Sequence, residues 1–539
     1  MQLARYDMLS IFTGWKRICA SGVIIFTLAG TNIAIGASTV APATPSEILR
    51  AADASETEAE RAELHAIYQG LGGALIWTTT PRRVAFIKLL ASLESDGIGI
   101  QQLGPLPGDK IESQVRADVS ATRVILRAAH LVSAGSTAPA NIPGWSLVTE
   151  DTPVVEMIVG AAQRDRLGAL FDDLRPTGVA YRQLRAVYLR YLRLATETWN
   201  PLEASVEVHL DTDDSRIAEL RRRLVLLGDS TETELTGDAL LDAIKRFQRR
   251  HGLAVDGRIG PATLAALNVS PAVRAQQIAV NLEYWRLLPR IWPKRYVAVN
   301  AAAAHLELVN EGRPSYASRV IVGDPRHPTP VMAASITGVT FNPSWTVPHS
   351  IAVKEMLPRL HRDATYLERS NIKIVGRDFD PHGLQLDWRA YSQRRFPFQL
   401  RQVPGPTNAL GLLKFEMPNG FDVYLHDTPD KSLFEKASRT LSHGCVRVDC
   451  ASDLAKRLIE DPAVWLEGGL SAALADGRTM TVPLSQPLPV YLLYFTAYED
   501  ESGLVNFRPD VYGRDQVVRR SLRTPLARDL GAAHIAEGS

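Results

Sequence analysis

Cys445 stands in the run Ser442-His443-Gly444-Cys445-Val446-Arg447, and His426 ends the run Val423–His426, with fifteen residues between it and Ser442. A thiol is a useful nucleophile only as thiolate, and an adjacent imidazole that accepts its proton makes an ion pair at neutral pH. Gly444 lets the backbone turn sharply, which would aim the amide N–H groups of Gly444 and Cys445 at one point, as an oxyanion hole requires. Asp449 is placed to cap the helix CASDLAKRLIED. Two histidines and a cysteine could instead hold zinc, but a closed structural site wants a fourth ligand, and Asp427, Asp449 and Cys450 complete no familiar spacing. No metal is therefore expected. A Cys445–Cys450 disulfide would abolish the nucleophile, and Cys450 reads as a core residue on the helix after the site. Taken singly, a cysteine reads as a small buried hydrophobe and a histidine as a satisfied polar residue; only their arrangement suggests catalysis.

Such groups need a rigid support, and from Arg295 the chain supplies a β-rich one. Strand signals lie at Val297–Val299, Leu306–Val309 and Val320–Val322, with Asn310-Glu311-Gly312 as a turn, and continue in SITGVTFNPSW, LLKFEMP, FDVYLH and PVYLLYFTAYED. They predict a sandwich or barrel-like domain over 294–485, with strands at 486–515 packing on it and a mobile tail at 516–539. Residues 346–398 form an insertion rich in Lys, Arg and Pro, helical around IAVKEMLPRL, with the character of a lid.

Upstream, Ile217, Leu220, Leu224 and Leu227 recur at helical spacing, as do Leu240, Ile244 and Phe247; Gly252 marks a helix end and Pro261 the first turn of a third helix, giving a compact unit over 212–271. Residues 45–205 read as a helical scaffold without a catalytic signature. At the N-terminus Arg5, Lys16 and Arg17 precede a mostly apolar run from Ile18 to Ala37, which reads as an export signal, either cleaved or kept as an inner-membrane anchor (1–37). The expected location is therefore the periplasm. The three cysteines, Cys19, Cys445 and Cys450, make no disulfide framework. Sixty basic against fifty-nine acidic residues leave a net charge of +1, so no global field draws the chain to nucleic acid or anionic lipid.

The spacing of His426 from Ser-His-Gly-Cys, followed by an apolar residue and Arg447, closely resembles the L,D-transpeptidase (YkuD-type) family. Longer stretches, YWRLLP, VIVGDPRHPTPV, FNPSWTVPHSIAVKEMLP, RQVPGPTNALGLLKFEMPN and YLHDTPDKSLF, are similar to its large multidomain subgroup, while LRRRLVLLG, AIKRFQRRHGL and VDGRIGPATLAALN resemble its three-helix peptidoglycan-binding module. The resemblance implies a multidomain α+β chain. It makes Cys445 the nucleophile and His426 the proton donor and acceptor, with His443, Gly444 and Ser442 supporting the site and its oxyanion position. Arg447, Tyr424, Trp345 and Asn408 are the expected substrate-binding residues.

The implied reaction is acyl transfer on peptidoglycan stem peptides. Cys445 attacks the third stem residue, D-alanine leaves, and the amine of a second stem resolves the thioester to a 3→3 cross-link; no cofactor is needed. Water as acceptor would give an L,D-carboxypeptidase, and a protein amine would give protein attachment to or detachment from the wall. A wall-binding scaffold with a vestigial catalytic domain is the non-enzymatic alternative. Stem peptides and glycan are the expected partners, with other cell-wall enzymes as candidates.

Overall fold

The computed structural model describes residues 42–51, 57–107, 113–149, 151–204, 206–210, 213–232, 235–459, 474–475, 477–500 and 503–522. The expected export segment (1–37) lies outside these residues. Among the described residues no helix is long and apolar enough to cross a membrane.

The β-rich region is built on one sheet. Its strands are β1 (Arg295–Asn300), β2 (His305–Asn310), β3 (Arg313–Gly323), β4 (Met332–Phe341), β8 (Leu413–Glu416), β9 (Leu425–His426), β10 (Thr440–Ser442), β11 (Val446–Val448) and β12 (Met480–Leu493), while the short β5 (Trp345–Thr346), β6 (Ile372–Ile374) and β7 (Leu400–Gln402) pair separately. The order is β10-β3-β11-β9-β8-β4-β12-β1-β2, and β2 also pairs with β3, so the sheet closes on itself through the long β3. The β2–β3 hairpin turns at Glu311 and Gly312, both with positive φ (47° and 76°), the geometry a two-residue hairpin demands. Buried Val297, Val299, Leu306, Val320, Val322, Val339, Phe415, Leu425, Val446 and Val448 fill the interior.

The expected boundary at 485/486 is corrected, because β12 runs unbroken through it between β4 and β1. The expected packing of the C-terminal strands is corrected as well. The hairpin β13 (Ala497–Glu499) and β14 (Val505–Phe507) lies against helices, with Phe507 edge-on to Tyr191 and stacked on His251. Nor does the tail begin at 516: a helix spans Arg514–Ser521, burying Arg514, Asp515 and Val518. Residues 523–539 lie outside the described ones.

Residues 272–293, to which the sequence assigns no domain, contain most of the molecule's central helix, Pro271–Arg286, capped by the Ser270 hydroxyl at the Val273 N–H. It is buried nearly all round, so it shows no amphipathic stripe in sequence. Its polar groups are satisfied across domains: Gln277 donates to the carbonyls of Thr496 (3.0 Å) and Arg508 (2.9 Å), and Glu283 accepts from the Thr137 N–H (2.8 Å) and from Arg286 (2.7 Å). Burying such groups is tolerable only because each has a partner.

The helical scaffold packs Gln114–Ala134 at the centre of its own core. In the following unit of three helices (Arg216–Leu227, Gly237–Arg250, Pro261–Asn268), the buried Gln248 donates to Asp256 (2.8 Å) and the Arg258 carbonyl (2.9 Å) and accepts from the Gly257 N–H (2.9 Å). The signature residues of that unit therefore hold its loop to its second helix. The insertion is a small α+β unit with its own core of Val347, Met356, Leu360, Leu367, Trp388 and Leu400. Its sheet, β5-β7-β6, extends the unit from Trp345 to Gln402, slightly beyond 346–398.

Candidate active site

Strands β9 and β11 run parallel with Leu425 opposite Val446 and His426 opposite Arg447, and one step earlier the Val446 N–H donates to the Tyr424 carbonyl at 3.0 Å. Because side chains alternate along a strand, Tyr424, His426, Cys445 and Arg447 share one face. The Tyr424 hydroxyl faces the Cys445 thiol and the Trp345 side chain, and the thiol itself donates to the Asp422 carbonyl at 3.8 Å. Lys414, in register with His426 on β8, lies over the Tyr424 ring with Nζ 4.9 Å from its centroid.

His426 is buried, and its Nδ1 lies 2.5 Å from the Asp427 carbonyl. That carbonyl holds the Nδ1–H and leaves Nε2 as the basic nitrogen of the neutral ring. Burial above all, and then the positive Arg447, push the imidazole down to about 4, against the pull of the Asp427 and Leu410 carbonyls. Burial pushes the Cys445 thiol up, opposed by Tyr424, Lys414 and Arg447. Both shifts run against the expected thiolate–imidazolium ion pair, because burial favours the neutral thiol and the neutral imidazole in the resting site. Desolvation disfavours both charged forms until something compensates them.

The loop before the thiol is stapled from within. The Ser442 hydroxyl donates to the Cys445 carbonyl (2.5 Å) and accepts from the Gly444 N–H (3.2 Å). Gly444 has φ +110°, a conformation that side chains strain, and its carbonyl accepts from the Thr329 hydroxyl at 2.8 Å. The expected pairing of the Gly444 and Cys445 amides is thus corrected, since the Gly444 N–H is engaged by Ser442. The Cys445 N–H has no acceptor among the described residues. His443 turns away to the insertion, with Nε2 2.5 Å from the Glu355 carboxylate and its ring 4.8 Å from that of His327.

The guanidinium of Arg447 is held low by burial, and its Nε is buried without a hydrogen-bond partner. Asn408, expected on the substrate, is not brought to the surface of the site. It is 1% exposed, donating to the Val403 carbonyl (2.9 Å) and accepting from the Leu410 N–H (2.8 Å), so it shapes the turn that carries Leu410 to His426.

Cys450 is exposed rather than in the core; both thiols are free. It precedes the Ala451–Leu458 helix without a side-chain cap, and the expected cap Asp449 instead takes Arg319 at 2.8 Å. Among the described residues no group of three or more His, Cys, Asp and Glu is placed to hold a metal. Glu355, Thr329, Leu410 and Lys414 have no separate signal in the sequence, although all four lie in stretches that the family resemblance covers.

Comparison with known proteins gives three matches along the chain: residues 62–187 to the scaffold domain, 213–267 to the "Putative peptidoglycan binding domain", and 294–464 to the L,D-transpeptidase catalytic domain, YkuD. A relative from Haemophilus influenzae, named "Putative L,D-transpeptidase", is 35% identical over 246 residues, 45% of this chain and 49% of the relative, so the match spans about half of each. Among solved structures, an L,D-transpeptidase from Xylanimonas cellulosilytica is 15% identical, covering 54% of this chain and 99% of that one at a TM-score of 0.18. The Ldtfm-avibactam carbamoyl enzyme is 12% identical, covering 38% and 51% at the same score of 0.18. Scores this low bear no structural argument.

Proposed function

Starting from a chain that carries an L,D-transpeptidase catalytic domain behind scaffold and peptidoglycan-binding domains, we propose that it is a peptidoglycan L,D-transpeptidase forming 3→3 cross-links, with Cys445 as nucleophile and His426 as base. The observation that carries this reading is the parallel register of β9 and β11, with Cys445, His426, Tyr424 and Arg447 on one face.

On binding, the donor stem displaces water, and a carboxylate of the stem pairs with the Arg447 guanidinium, whose Nε has no hydrogen-bond partner. That charge compensation lowers the cost of an imidazolium beside Arg447, whose positive charge otherwise opposes it. His426 Nε2 then takes the thiol proton as Sγ bonds to the carbonyl carbon of the third stem residue. The oxyanion forms at the Cys445 N–H. Collapse breaks the C–N bond, the imidazolium returns its proton to the leaving D-alanine amine, and a thioester remains. The amine of a second stem attacks that thioester with His426 as base, and the proton passes back to the cysteine thiolate. This chemistry and the export-type segment expected at 1–37 support a working location outside the cytoplasm, in the periplasm.

The test is mass analysis of muropeptides after incubation of purified protein with disaccharide-tetrapeptides. The expected product is a 3→3 dimer with release of D-alanine. Tripeptide alone would identify a carboxypeptidase, and unchanged substrate would leave a wall-binding scaffold.

A further inference from the structure

The catalytic domain holds a buried hydroxyl with no surface role that nonetheless controls the backbone beside the thiol. Thr329 is 0% exposed and lies in the turn between β3 and β4. Its hydroxyl donates to the Gly444 carbonyl at 2.8 Å and accepts from the Gly323 N–H at 2.9 Å, which satisfies the donor and one acceptor position. The turn is pressed onto β3 so closely that a Cβ at Gly323 would lie 2.0 Å from the His327 carbonyl oxygen and 2.7 Å from the Thr329 nitrogen. Only glycine fits there.

The Thr329 backbone is fixed from behind. Arg514, whose guanidinium lies 4.9 Å from the ring centroids of both Tyr494 and Tyr512, donates to the Thr329 carbonyl (2.9 Å) and to the Pro143 carbonyl (2.8 Å). Tyr512 donates to the Gly323 carbonyl (2.7 Å), and Val331 pairs with Gly144 and Ser146 of the scaffold region. The turn is thus clamped by the C-terminal segment on one side and the chain before the three-helix unit on the other.

A peptide unit is planar and trans, so fixing the direction of a carbonyl fixes the opposite direction for the next N–H. The bond to Gly444 O draws that oxygen inward and turns the Cys445 N–H the other way. This matters because Gly444, at φ +110°, has none of the steric restriction that would otherwise hold the plane. We propose that Thr329 is a positioning residue for acyl transfer: through Gly444 its hydroxyl sets the Cys445 amide as the oxyanion donor. The proposal rests on Cys445 being the nucleophile.

Its test is the rate at which a carbapenem acylates Cys445 in the full chain, followed by mass, in Thr329→Val and Thr329→Ser. Alkylation of Cys445 by iodoacetamide, which develops no carbonyl oxyanion, serves as the internal control. Val keeps the shape and loses the hydroxyl; Ser keeps the hydroxyl. The expected result is acylation slowed about 10- to 100-fold in Val, less than the full loss of an oxyanion donor, with alkylation unchanged and Ser within about 3-fold of the parent. If Val does not fold, the Ala and Ser variants give the same comparison, with the methyl absent from both.

Equal acylation rates with and without the hydroxyl overturn the proposal, as does a parallel fall in alkylation, a Ser variant as slow as Val, or loss of fold in both Val and Ala. Those outcomes leave the nucleophile assignment standing when the parent is acylated at Cys445. A parent that forms no adduct there overturns both.

Discussion

His443, two residues before Cys445, is joined to Glu355 of the insertion with Nε2 and carboxylate oxygen 2.5 Å apart. The Glu355 carboxylate thus connects the small α+β unit to the loop that presents the thiol. The unit has its own core, so it can act as one body whose seat on the site depends on contacts such as this one.

Glu355→Gln removes the charge while keeping a hydrogen-bonding amide. An acyl-thioester partitions between amine and water according to how well the site is closed. The variant is expected to lower the ratio of 3→3 dimer to hydrolysed tripeptide by about 2- to 10-fold, while Cys445 still reacts with small β-lactams. An unchanged ratio would show that this contact does not govern closure.

Cys445→Ser is expected to abolish the carbapenem adduct and nearly all turnover while leaving the melting temperature within a few degrees. Cys450→Ser, at an exposed position with no capping bond, should retain most of the activity. Peptide mapping of the adduct decides the matter: an adduct recovered on Cys450 would contradict the assignment.

The pH dependence follows from burial. His426 is held down to about 4, so it is neutral and able to accept a proton at any pH well above that value, and loses this capacity as pH falls through about 4. Cys445 is held above its ordinary value, so its thiolate fraction grows tenfold per pH unit across the neutral range without saturating. Iodoacetamide alkylation of the free enzyme should therefore climb steadily from pH 6 to 9. A plateau near neutrality would reveal a resting thiolate–imidazolium pair instead.

Arg447→Gln should raise KM for the tetrapeptide donor more than it lowers kcat, by roughly 10-fold or more, as expected when a charge-assisted contact to a carboxylate is removed. The variant also removes a positive charge that depresses His426, so the acid limb of the pH profile should move up from about 4. A profile that stays in place would show that burial alone sets the imidazole.

Gly444→Ala has space for the methyl group, whose nearest neighbours lie 3.8 Å (Val423) and 3.9 Å (His327) away, so its cost comes from φ +110° alone. A loss of about 1–2 kcal/mol in stability is expected, with a larger loss of acylation as the Gly444 carbonyl leaves Thr329. Thermal melts and acylation rates measured together separate the two effects.

What the sequence determines by itself is local in origin. The spacing of His426 from Ser442-His443-Gly444-Cys445 carries the resemblance on which the proposed chemistry rests, and the change from helical to alternating apolar periodicity near Arg295 marks where the β-rich region starts. Turn residues such as Glu311 and Gly312 are legible because a hairpin needs positive φ there. The central helix Pro271–Arg286 is not legible in this way, since burial on every side erases the stripe that would announce it. Strand β12 hides the boundary expected at 485/486 because continuity depends on its partners β4 and β1. The shift of the His426 imidazole toward its neutral form arises only where the chain closes over it. Whether an imidazole is neutral depends on how much water its neighbours exclude, and those neighbours, Leu410 and Arg447, come from separate stretches of sequence. The same holds for Asn408, whose amide the turn engages before any substrate arrives, and for Thr329, which meets Gly444 across 115 residues of chain. Residue type and spacing specify which groups can react; burial and hydrogen-bond satisfaction, which come from distant segments meeting, specify the state in which they wait.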